Sequence, residues 1–314
     1  MRIVFWGTPD FALSSLRALL GEDHDVLAVV TQPHRPAGRG RTLRPTPVHD
    51  FALREMIPVL QPEKPKGDEF LASLRALEPD LSVVVAYGQI LRPEVLEVPA
   101  LGSVNLHASL LPELRGAAPI QWAIARGYER TGVTVMRMAE RMDAGAILHQ
   151  VAEPIGEEEI ATDLAARLSE IGAEALVEAL ALLDAGQITE VEQDESRATY
   201  APRIQREHAH VDWSADALQV SRIVRAFDNV PGAWTVLNGQ DLKVFRPKPE
   251  PDYVHESSPG TVLEVETLDA SEGLLVACGA GACWIREVKP AGRRRMTAAE
   301  WLRGRGAEAG ALLS

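Results

Sequence analysis

The sequence predicts an α/β domain followed by a smaller all-β domain. Short apolar segments rich in Val, Ile and Leu alternate with amphipathic segments from residue 2 to about residue 185. This alternation is typical of a mainly parallel sheet with helices on both faces. Beyond residue 200, one helical segment precedes several short strand-like segments separated by turns, which indicates a small barrel or sandwich. The length of 314 residues also suits two domains. We therefore predict a Rossmann-like first domain and a C-terminal β-barrel domain of the OB-like type.

The elements of the first domain follow from their apolar periodicity. Segment 80–88 is apolar on both faces, as a buried parallel strand requires. Thr8 is placed to cap a helix that Gly21 ends. The same patterns predict strands at 2–7, 25–32, 57–61, 80–88, 102–108, 131–138 and 146–155, and helices at 10–21, 47–56, 68–78, 118–127 and 162–185.

The second domain is predicted from turn residues between short strands. A helix at about 215–227 precedes strands at 233–239, 241–249, 259–266, 272–279 and 281–290. We therefore assign residues 1–200 to the first domain, residues 201–206 to a linker and residues 207–314 to the second domain.

Charge is distributed unevenly along the chain. The net charge of −13 argues against a nucleic-acid partner at first sight. However, residues 150–196 contain thirteen acidic residues and one arginine, so the rest of the chain is nearly neutral. The acidity is a regional feature, typical of a solvated helix face, and it leaves room for a basic surface elsewhere.

Several classes of site and location are not favoured by the sequence. Cys278 and Cys283 have neither metal-site spacing nor neighbouring histidines, so we expect two reduced thiols and no metal.

Arg2 is followed by a strand-like segment in place of a signal peptide, and no apolar run approaches the ~20 residues that span a bilayer. We expect a cytoplasmic monomer with no membrane partner. Gly7 is the only glycine of the first turn, and no GxGxxG sequence follows a strand, so a dinucleotide cofactor is not expected.

Asn105 and His107 form the most informative pair in the sequence. They lie two positions apart near the end of a predicted strand, so their side chains share one face. An amide can stabilise an oxyanion and an imidazole can transfer a proton near neutral pH. Asp143, in a later loop with small neighbours, is a candidate to orient the imidazole. From spacing alone, a catalytic trio and a core histidine beside a turn-forming aspartate both remain open.

Several motifs follow one another along the chain in a characteristic order. They are MRIVFWGTPDFA, VVTQPHRPAGRGR, VVVAYGQIL, VNLHASLLPELRGAAPIQWAI, TGVTVMRM with MDAGAIL, YAPRI, RAFDNVPGAW and PAGRRRM. Together they resemble the methionyl-tRNA formyltransferase family, whose members use 10-formyltetrahydrofolate. The resemblance covers the first domain almost continuously and extends into the second.

The resemblance implies an activity and roles for particular residues. Asn105, His107 and Asp143 match the catalytic trio of the family, and the turn that contacts the folate corresponds to Ser109, Leu110, Leu111 and Pro112. The implied reaction is attack of the α-amine of methionyl-initiator-tRNA on the formyl group of 10-formyltetrahydrofolate. This chemistry requires no metal.

An arginine-rich segment follows the second predicted strand. Arg35, Arg39, Arg41 and Arg44 lie within ten residues without an acidic neighbour, around Gly38 and Gly40. A solvated connection and a phosphate-binding loop are both compatible with this composition. The resemblance implies that Arg35, Arg39, Gly40, Arg41 and Arg44 contact the tRNA. It also implies a second domain that contacts the tRNA. For Arg293, Arg294 and Arg295 of that domain, a phosphate contact and a solvated hairpin end both remain open.

Other functions remain open at this point. The same first domain could transfer a formyl group to a sugar nucleotide or to glycinamide ribonucleotide, or could hydrolyse formyltetrahydrofolate. A catalytically silent RNA-binding module is an alternative of a different class. The Arg-Gly segment and the β-rich second domain favour the tRNA enzyme, and the intact Asn105, His107 and Asp143 set argues against a silent module.

Overall fold

The computed structural model describes residues 1–37, 42–267, 273–304 and 306–314. Its first elements are β1 (Arg2–Gly7), α1 (Phe11–Gly21), β2 (Asp25–Val30), β3 (Arg35–Ala37), β4 (Thr42–Arg44), α2 (Pro47–Arg54), β5 (Val59–Leu60), α3 (Asp68–Ala76), β6 (Leu81–Val85), α4 (Pro93–Leu96), β7 (Ser103–His107), β8 (Arg115–Gly116), α5 (Pro119–Ala125), β9 (Arg130–Arg137), β10 (Ile147–Pro154), α6 (Ala161–Asp184) and β11 (Tyr200–Ala201). The remaining elements are α7 (Ala217–Ala226), β12 (Trp234–Leu237), β13 (Gln240–Glu250), β14 (Val262–Val265), β15 (Leu274–Ala277), β16 (Ala282–Pro290), β17 (Met296–Thr297) and α8 (Ala298–Arg303).

Two compact units are formed by non-consecutive stretches of the chain. The first contains residues 1–119, 131–154 and 165–202, and the second contains residues 120–130, 155–164 and 203–314. The domain boundaries expected from the sequence stay a prediction.

A seven-stranded sheet organises the first unit, in the order β10-β9-β7-β6-β1-β2-β5. β7, β6, β1, β2 and β5 are parallel to one another, whereas β9 runs antiparallel to β7. The mainly parallel α/β fold predicted from the sequence is therefore confirmed. The antiparallel edge was not predicted.

Helices cover both faces of this sheet because its central strands are apolar on both sides. On one face Trp6 and Val84 pack with Leu71 and Leu74 of α3 and with Leu96 of α4. On the other face Leu106 of β7 lies so close to Gly172 of α6 that a Cβ at Gly172 would be 2.8 Å from a Leu106 methyl. Strand alternation and the register of β6 and β7 place Asn105 and His107 on the α3–α4 face.

One local expectation for the first unit was wrong. Thr8 does not cap α1, since its hydroxyl donates to the Tyr87 carbonyl at 2.9 Å and the cap position is Asp10. The arginine-rich segment after β2 contains two short strands that the sequence patterns did not predict. These strands, β3 and β4, pair antiparallel with Arg35 opposite Arg44.

An antiparallel sheet organises the second unit, in the order β12-β13-β16-β15-β14, with β17 paired to β16. Residues 310–314 join its two outer strands. The Val262 amide donates to the Ala311 carbonyl, and Val236 and Ser314 exchange two backbone hydrogen bonds. These bonds satisfy both outer strands and close the sheet into a barrel around buried residues such as Phe245 and Ile285. The predicted C-terminal β-barrel is therefore confirmed.

Candidate functional site

β7 brings Asn105 and His107 to the carboxyl-terminal edge of the parallel part of the sheet. Asn105 is half-buried and His107 is buried. β7 lies between β6 and β9, with His107 opposite Thr134 of β9. In open α/β sheets this edge is where ligands bind. The backbone of β7 is fixed on both sides, so both side chains project from a rigid strand.

The imidazole of His107 has two different neighbours. Nε2 lies 3.0 Å from the Leu114 carbonyl oxygen. Because a carbonyl only accepts hydrogen bonds, Nε2 must carry a hydrogen and donate it. Nδ1 lies 3.8 Å from Oδ2 of Asp143, which is an ion-pair distance and too long for a hydrogen bond. Nδ1 is therefore the nitrogen that can gain or lose a proton during a reaction.

Asp143 is held by the backbone on the other side of its carboxylate. Its Oδ2 accepts a hydrogen bond of 2.8 Å from the Gly116 amide. Its own backbone has a positive φ of 51°, which aspartate tolerates better than most residues. The structure therefore brings His107 and Asp143 together across 36 residues of sequence.

The turn Ser109–Pro112 is tied to β9 and β10. The Thr134 hydroxyl donates to the Ser109 carbonyl at 2.6 Å and accepts from the Leu111 amide at 3.1 Å. Gln150 donates to the Leu111 carbonyl at 2.9 Å. The Ser109 hydroxyl donates to the Glu113 carbonyl at 2.6 Å. Ser109, Leu111 and Pro112 are buried, whereas Leu110 is half-buried, so Leu110 and backbone groups of this turn are its accessible parts.

A buried arginine stands behind the Asp143 loop, and the sequence patterns did not reveal it. Arg115 is 1% exposed and donates to Gln193 and to both carboxylate oxygens of Glu195. Gln193 in turn donates to backbone carbonyls of the Asp143 loop. The sequence signal nearest to this cluster is the YAPRI motif, which begins one residue after Thr199. The Thr199 hydroxyl accepts a hydrogen bond from the Leu114 amide at 2.8 Å.

The arginine-rich segment is only partly within the described residues. Arg35 and Arg44 occupy paired positions at the base of the β3–β4 hairpin, and Arg44 is exposed. Arg39, Gly40 and Arg41 lie outside the described residues.

The arginines at 293–295 are not equivalent. Arg295 donates to both oxygens of the buried Asp228 carboxylate, at 2.8 and 3.2 Å, and to Glu287 at 2.5 Å. Its guanidinium also lies 4.0 Å from the centre of the Phe245 ring. Burial alone would lower the pKa of Arg295, but these hydrogen bonds raise it. The Arg295 guanidinium is therefore occupied by hydrogen bonds within the second unit. Arg294 pairs with Glu300 at the surface.

A cavity of about 470 Å³ lies beside β7. Its lining includes Leu96 of α4, Ser103 of β7 and residues 138–140, which precede Asp143. Ser103 and Asn105 are two positions apart on the same strand, so their side chains project from the same face. Leu96 and Met138 also pack with Tyr87, and burial raises the pKa of the Tyr87 hydroxyl to about 12. The cavity therefore lies at the amino-terminal end of β7, and the residues that line it include none of Asn105, His107 and Asp143.

The described part of the chain contains no group of three His, Cys, Asp or Glu side chains arranged to hold a metal ion. No helix in the same residues combines the length and the apolar character that crossing a membrane requires. Cys278 and Cys283 are buried free thiols, and burial raises the pKa of Cys278 to about 12.

Comparison with known proteins gives full-length matches. The family model for formyl transferases matches residues 1–180, and the model for the formyl transferase C-terminal domain matches residues 203–306. The chain is 48% identical over 305 residues to a methionyl-tRNA formyltransferase of Methylococcus capsulatus, covering 96% of each chain. It is 45% identical over 313 residues to a methionyl-tRNA formyltransferase of Bacillus subtilis, covering 99% of this chain and 97% of the relative.

Solved structures share the fold at lower identity. HypX from Aquifex aeolicus, solved in complex with tetrahydrofolic acid, matches with a TM-score of 0.66 and 23% identity over 96% of this chain. This chain spans 47% of HypX. An N-formyltransferase from Helicobacter canadensis, solved with folinic acid and dTDP-3-aminofucose, matches with a TM-score of 0.66 and 16% identity, covering 94% of this chain and 99% of that one.

Proposed function

The chain belongs to the methionyl-tRNA formyltransferase family, and on that premise we propose that it transfers the formyl group of 10-formyltetrahydrofolate to the α-amino group of methionyl-initiator-tRNA, for translation initiation. The observation that carries the proposal is the identity of 45–48% to methionyl-tRNA formyltransferases over nearly the whole of both chains. A formyltransferase for sugar nucleotides or glycinamide ribonucleotide, a hydrolase and a silent RNA-binding module are not favoured by these matches.

Asn105, His107 and Asp143 are the proposed catalytic residues. The Asn105 amide donates to the formyl oxygen as it becomes an oxyanion, and a proton on His107 Nδ1 provides positive charge beside it. Each such group contributes about 3 kcal/mol of barrier lowering. The support from geometry is that Nε2 of His107 is already committed to Leu114, so only Nδ1 faces Asp143 and the reacting atoms.

Atoms and protons balance in the proposed reaction. A bond forms between the amine nitrogen of methionyl-tRNA and the formyl carbon, and the bond from that carbon to N10 of the folate then breaks. The amine loses one proton and N10 gains one. Asp143 helps to remove the amine proton, and His107 and Asp143, 3.8 Å apart, exchange protons with the reacting nitrogens. The reaction as written needs no metal ion.

The folate is proposed to bind at the carboxyl-terminal edge of the parallel strands, where Asn105 and His107 lie. The turn of Ser109, Leu110, Leu111 and Pro112 is proposed to contact it next to the trio. The half-buried Leu110 supports this placement, since it is the least buried side chain of that turn.

The tRNA is proposed to bind the β3–β4 hairpin. Arg35, Arg39, Gly40, Arg41 and Arg44 stay the predicted contacts. The exposed side chain of Arg44 supports a phosphate contact there. A contact between the tRNA and the second domain also stays a prediction. The same holds for a monomeric state and a cytoplasmic location.

Formyl transfer from 10-formyltetrahydrofolate to methionyl-tRNA, uncharged tRNA and water, measured in parallel, tests this function. We expect product on methionyl-tRNA alone. Formate released at the same rate with and without RNA would identify a hydrolase. Lack of both products from a folded protein that still binds tRNA would support the silent RNA-binding module.

A further inference from the structure

We infer that Gln193 is a positioning residue for the formyl transfer, acting through the backbone of the Asp143 loop. This inference rests on the proposed function. Gln193 is 8% exposed and lies on a segment that crosses behind Asp143. It touches neither His107 nor the cavity beside β7 in any contact of the described residues, so its effect on the reaction must pass through Asp143.

The orientation of the Gln193 amide is fixed by its partners. Nε2 donates to the carbonyl oxygens of Asp143, at 2.9 Å, and of Gly145, at 2.8 Å. Oε1 accepts from Nε and Nη2 of Arg115, at 3.1 and 2.7 Å. Carbonyls only accept and guanidinium groups only donate, so a flipped amide would lose all four hydrogen bonds. Gln193 therefore links a buried cation to two backbone carbonyls.

Arg115 is itself held in place. It donates to both oxygens of Glu195, at 3.2 and 2.8 Å, and Arg141 donates to the same carboxylate at 2.5 Å. The guanidinium groups of Arg115 and Arg141 hold the pKa of the Glu195 carboxyl at about 2. Glu195 is therefore ionised throughout the neutral range, and the support behind Gln193 is unaffected by assay pH.

The Asp143 loop needs such support because its backbone conformation is demanding. Asp143 has a positive φ of 51°, and a Cβ at Gly145 would lie 2.0 Å from the Arg137 carbonyl oxygen. Gln193 holds the carbonyls on both sides of Ala144. The Asp143 carboxylate stands 3.8 Å from His107 Nδ1, so a small displacement of the loop changes the distance at which protons are exchanged.

Gln193→Glu removes the hydrogen bonds to the loop carbonyls and keeps those from Arg115. The carboxylate has nearly the same shape and still accepts from Arg115, but it places an oxygen against the two loop carbonyls in place of a donor. We expect kcat to fall about 100-fold, the loss that misplacement by about 1 Å can cause. The KM for methionyl-tRNA should stay within about twofold, since the tRNA does not touch Gln193 in the proposed complex. Gln193→Asn, which is too short to span both partners and adds no charge, should reduce kcat in the same way.

A double-mutant cycle with Asp143→Asn distinguishes positioning from general destabilisation. If Gln193 acts through the Asp143 carboxylate, Gln193→Glu should cost less than about twofold in the Asp143→Asn background, measured in single turnovers with excess enzyme. The same 100-fold loss in both backgrounds would overturn the inference. Gln219→Glu is a matched control, because Gln219 donates one hydrogen bond to a backbone carbonyl, that of Ala125, in the second unit. It should leave kcat unchanged.

Amide hydrogen exchange separates failure of this inference from failure of the proposed function. If the unmodified protein transfers no formyl group, the proposed function fails, and exchange at residues 141–146 tests positioning alone. The Ala144 amide donates to the Arg141 carbonyl at 3.3 Å, and its exchange should accelerate at least about tenfold in Gln193→Glu if the loop opens more often. Unchanged exchange would overturn the inference whatever the activity.

Discussion

The Asp143 region of the first unit and the barrel of the second unit use hydrogen bonds for different purposes. Around Asp143, side chains bond to the backbone of loops, as Gln193 and Thr199 do, and these bonds set the position of a few atoms. In the barrel most bonds connect strand backbones around buried apolar residues, and residues 310–314 complete the ring. Changes in the first region should therefore reduce turnover more than stability, and changes in the second should do the reverse.

His107→Ala should have the largest effect on turnover. Loss of the proton-transferring imidazole should reduce kcat by about 10³-fold or more, since general acid–base and oxyanion contributions are lost together. Methionyl-tRNA affinity should remain, and single-turnover rates with excess enzyme measure the loss.

His107→Gln tests the expectation that changes near Asp143 reduce turnover without reducing stability. Its amide can still donate to the Leu114 carbonyl that His107 Nε2 contacts, so this variant should be equally inactive with little change in its urea-unfolding midpoint. A kcat within about tenfold of that of the unmodified protein in either variant would remove His107 from the mechanism.

Arg295→Ala should have the largest effect on stability. It leaves the Asp228 carboxylate, whose side chain is 0% exposed, without its charge partner. Breaking a buried pair from one side costs about 3–5 kcal/mol. The neighbouring Arg294 is 79% exposed and pairs with Glu300, so Arg294→Ala should cost less than about 1 kcal/mol. Equal unfolding midpoints for the two variants would show that Arg295 does not stabilise the barrel.

Leu313→Ala should weaken the closure of the barrel. Leu313 is 2% exposed and its amide donates to the Gly260 carbonyl. Truncation of a buried leucine costs about 2–5 kcal/mol. Leu312 is 58% exposed, and Leu312→Ala should stay within about 0.5 kcal/mol. Denaturant unfolding of both variants provides the comparison, and a loss shared equally by both would contradict a closing role for Leu313.

Arg44→Ala should give the smallest effect. Loss of one phosphate contact reduces the slope of log affinity against log salt by about 1. The binding constant at low salt should fall about threefold to tenfold, uniformly over tRNA sequences. Filter binding over a range of salt concentrations measures the slope. An identical slope would show that Arg44 is only part of the hairpin and contacts no phosphate.

Local sequence patterns determined most of the secondary structure and the residues of the proposed trio. Apolar periodicity placed β1, β6 and β7 within a few residues of their observed bounds. The reason is that the burial of a strand determines which of its consecutive residues are apolar. The strand spacing of Asn105 and His107 predicted a shared face for the same reason. Thr8 was assigned wrongly as a helix cap because its hydroxyl could equally bond to Tyr87, 79 residues away.

Tertiary structure alone decided how distant segments support one another. Arg115 reaches Gln193 across 78 residues and Glu195 across 80, and no periodicity connects such positions. Strand pairing was likewise decided by which segments meet. Examples are the antiparallel edge at β9, the β3–β4 hairpin and the closure of the barrel by residues 310–314. Periodicity reports which face of a segment is buried, but backbone pairing and buried polar contacts depend on which segments meet in space. The sequence by itself therefore determined the elements and the proposed chemistry, and the tertiary structure decided what holds Asp143 beside His107.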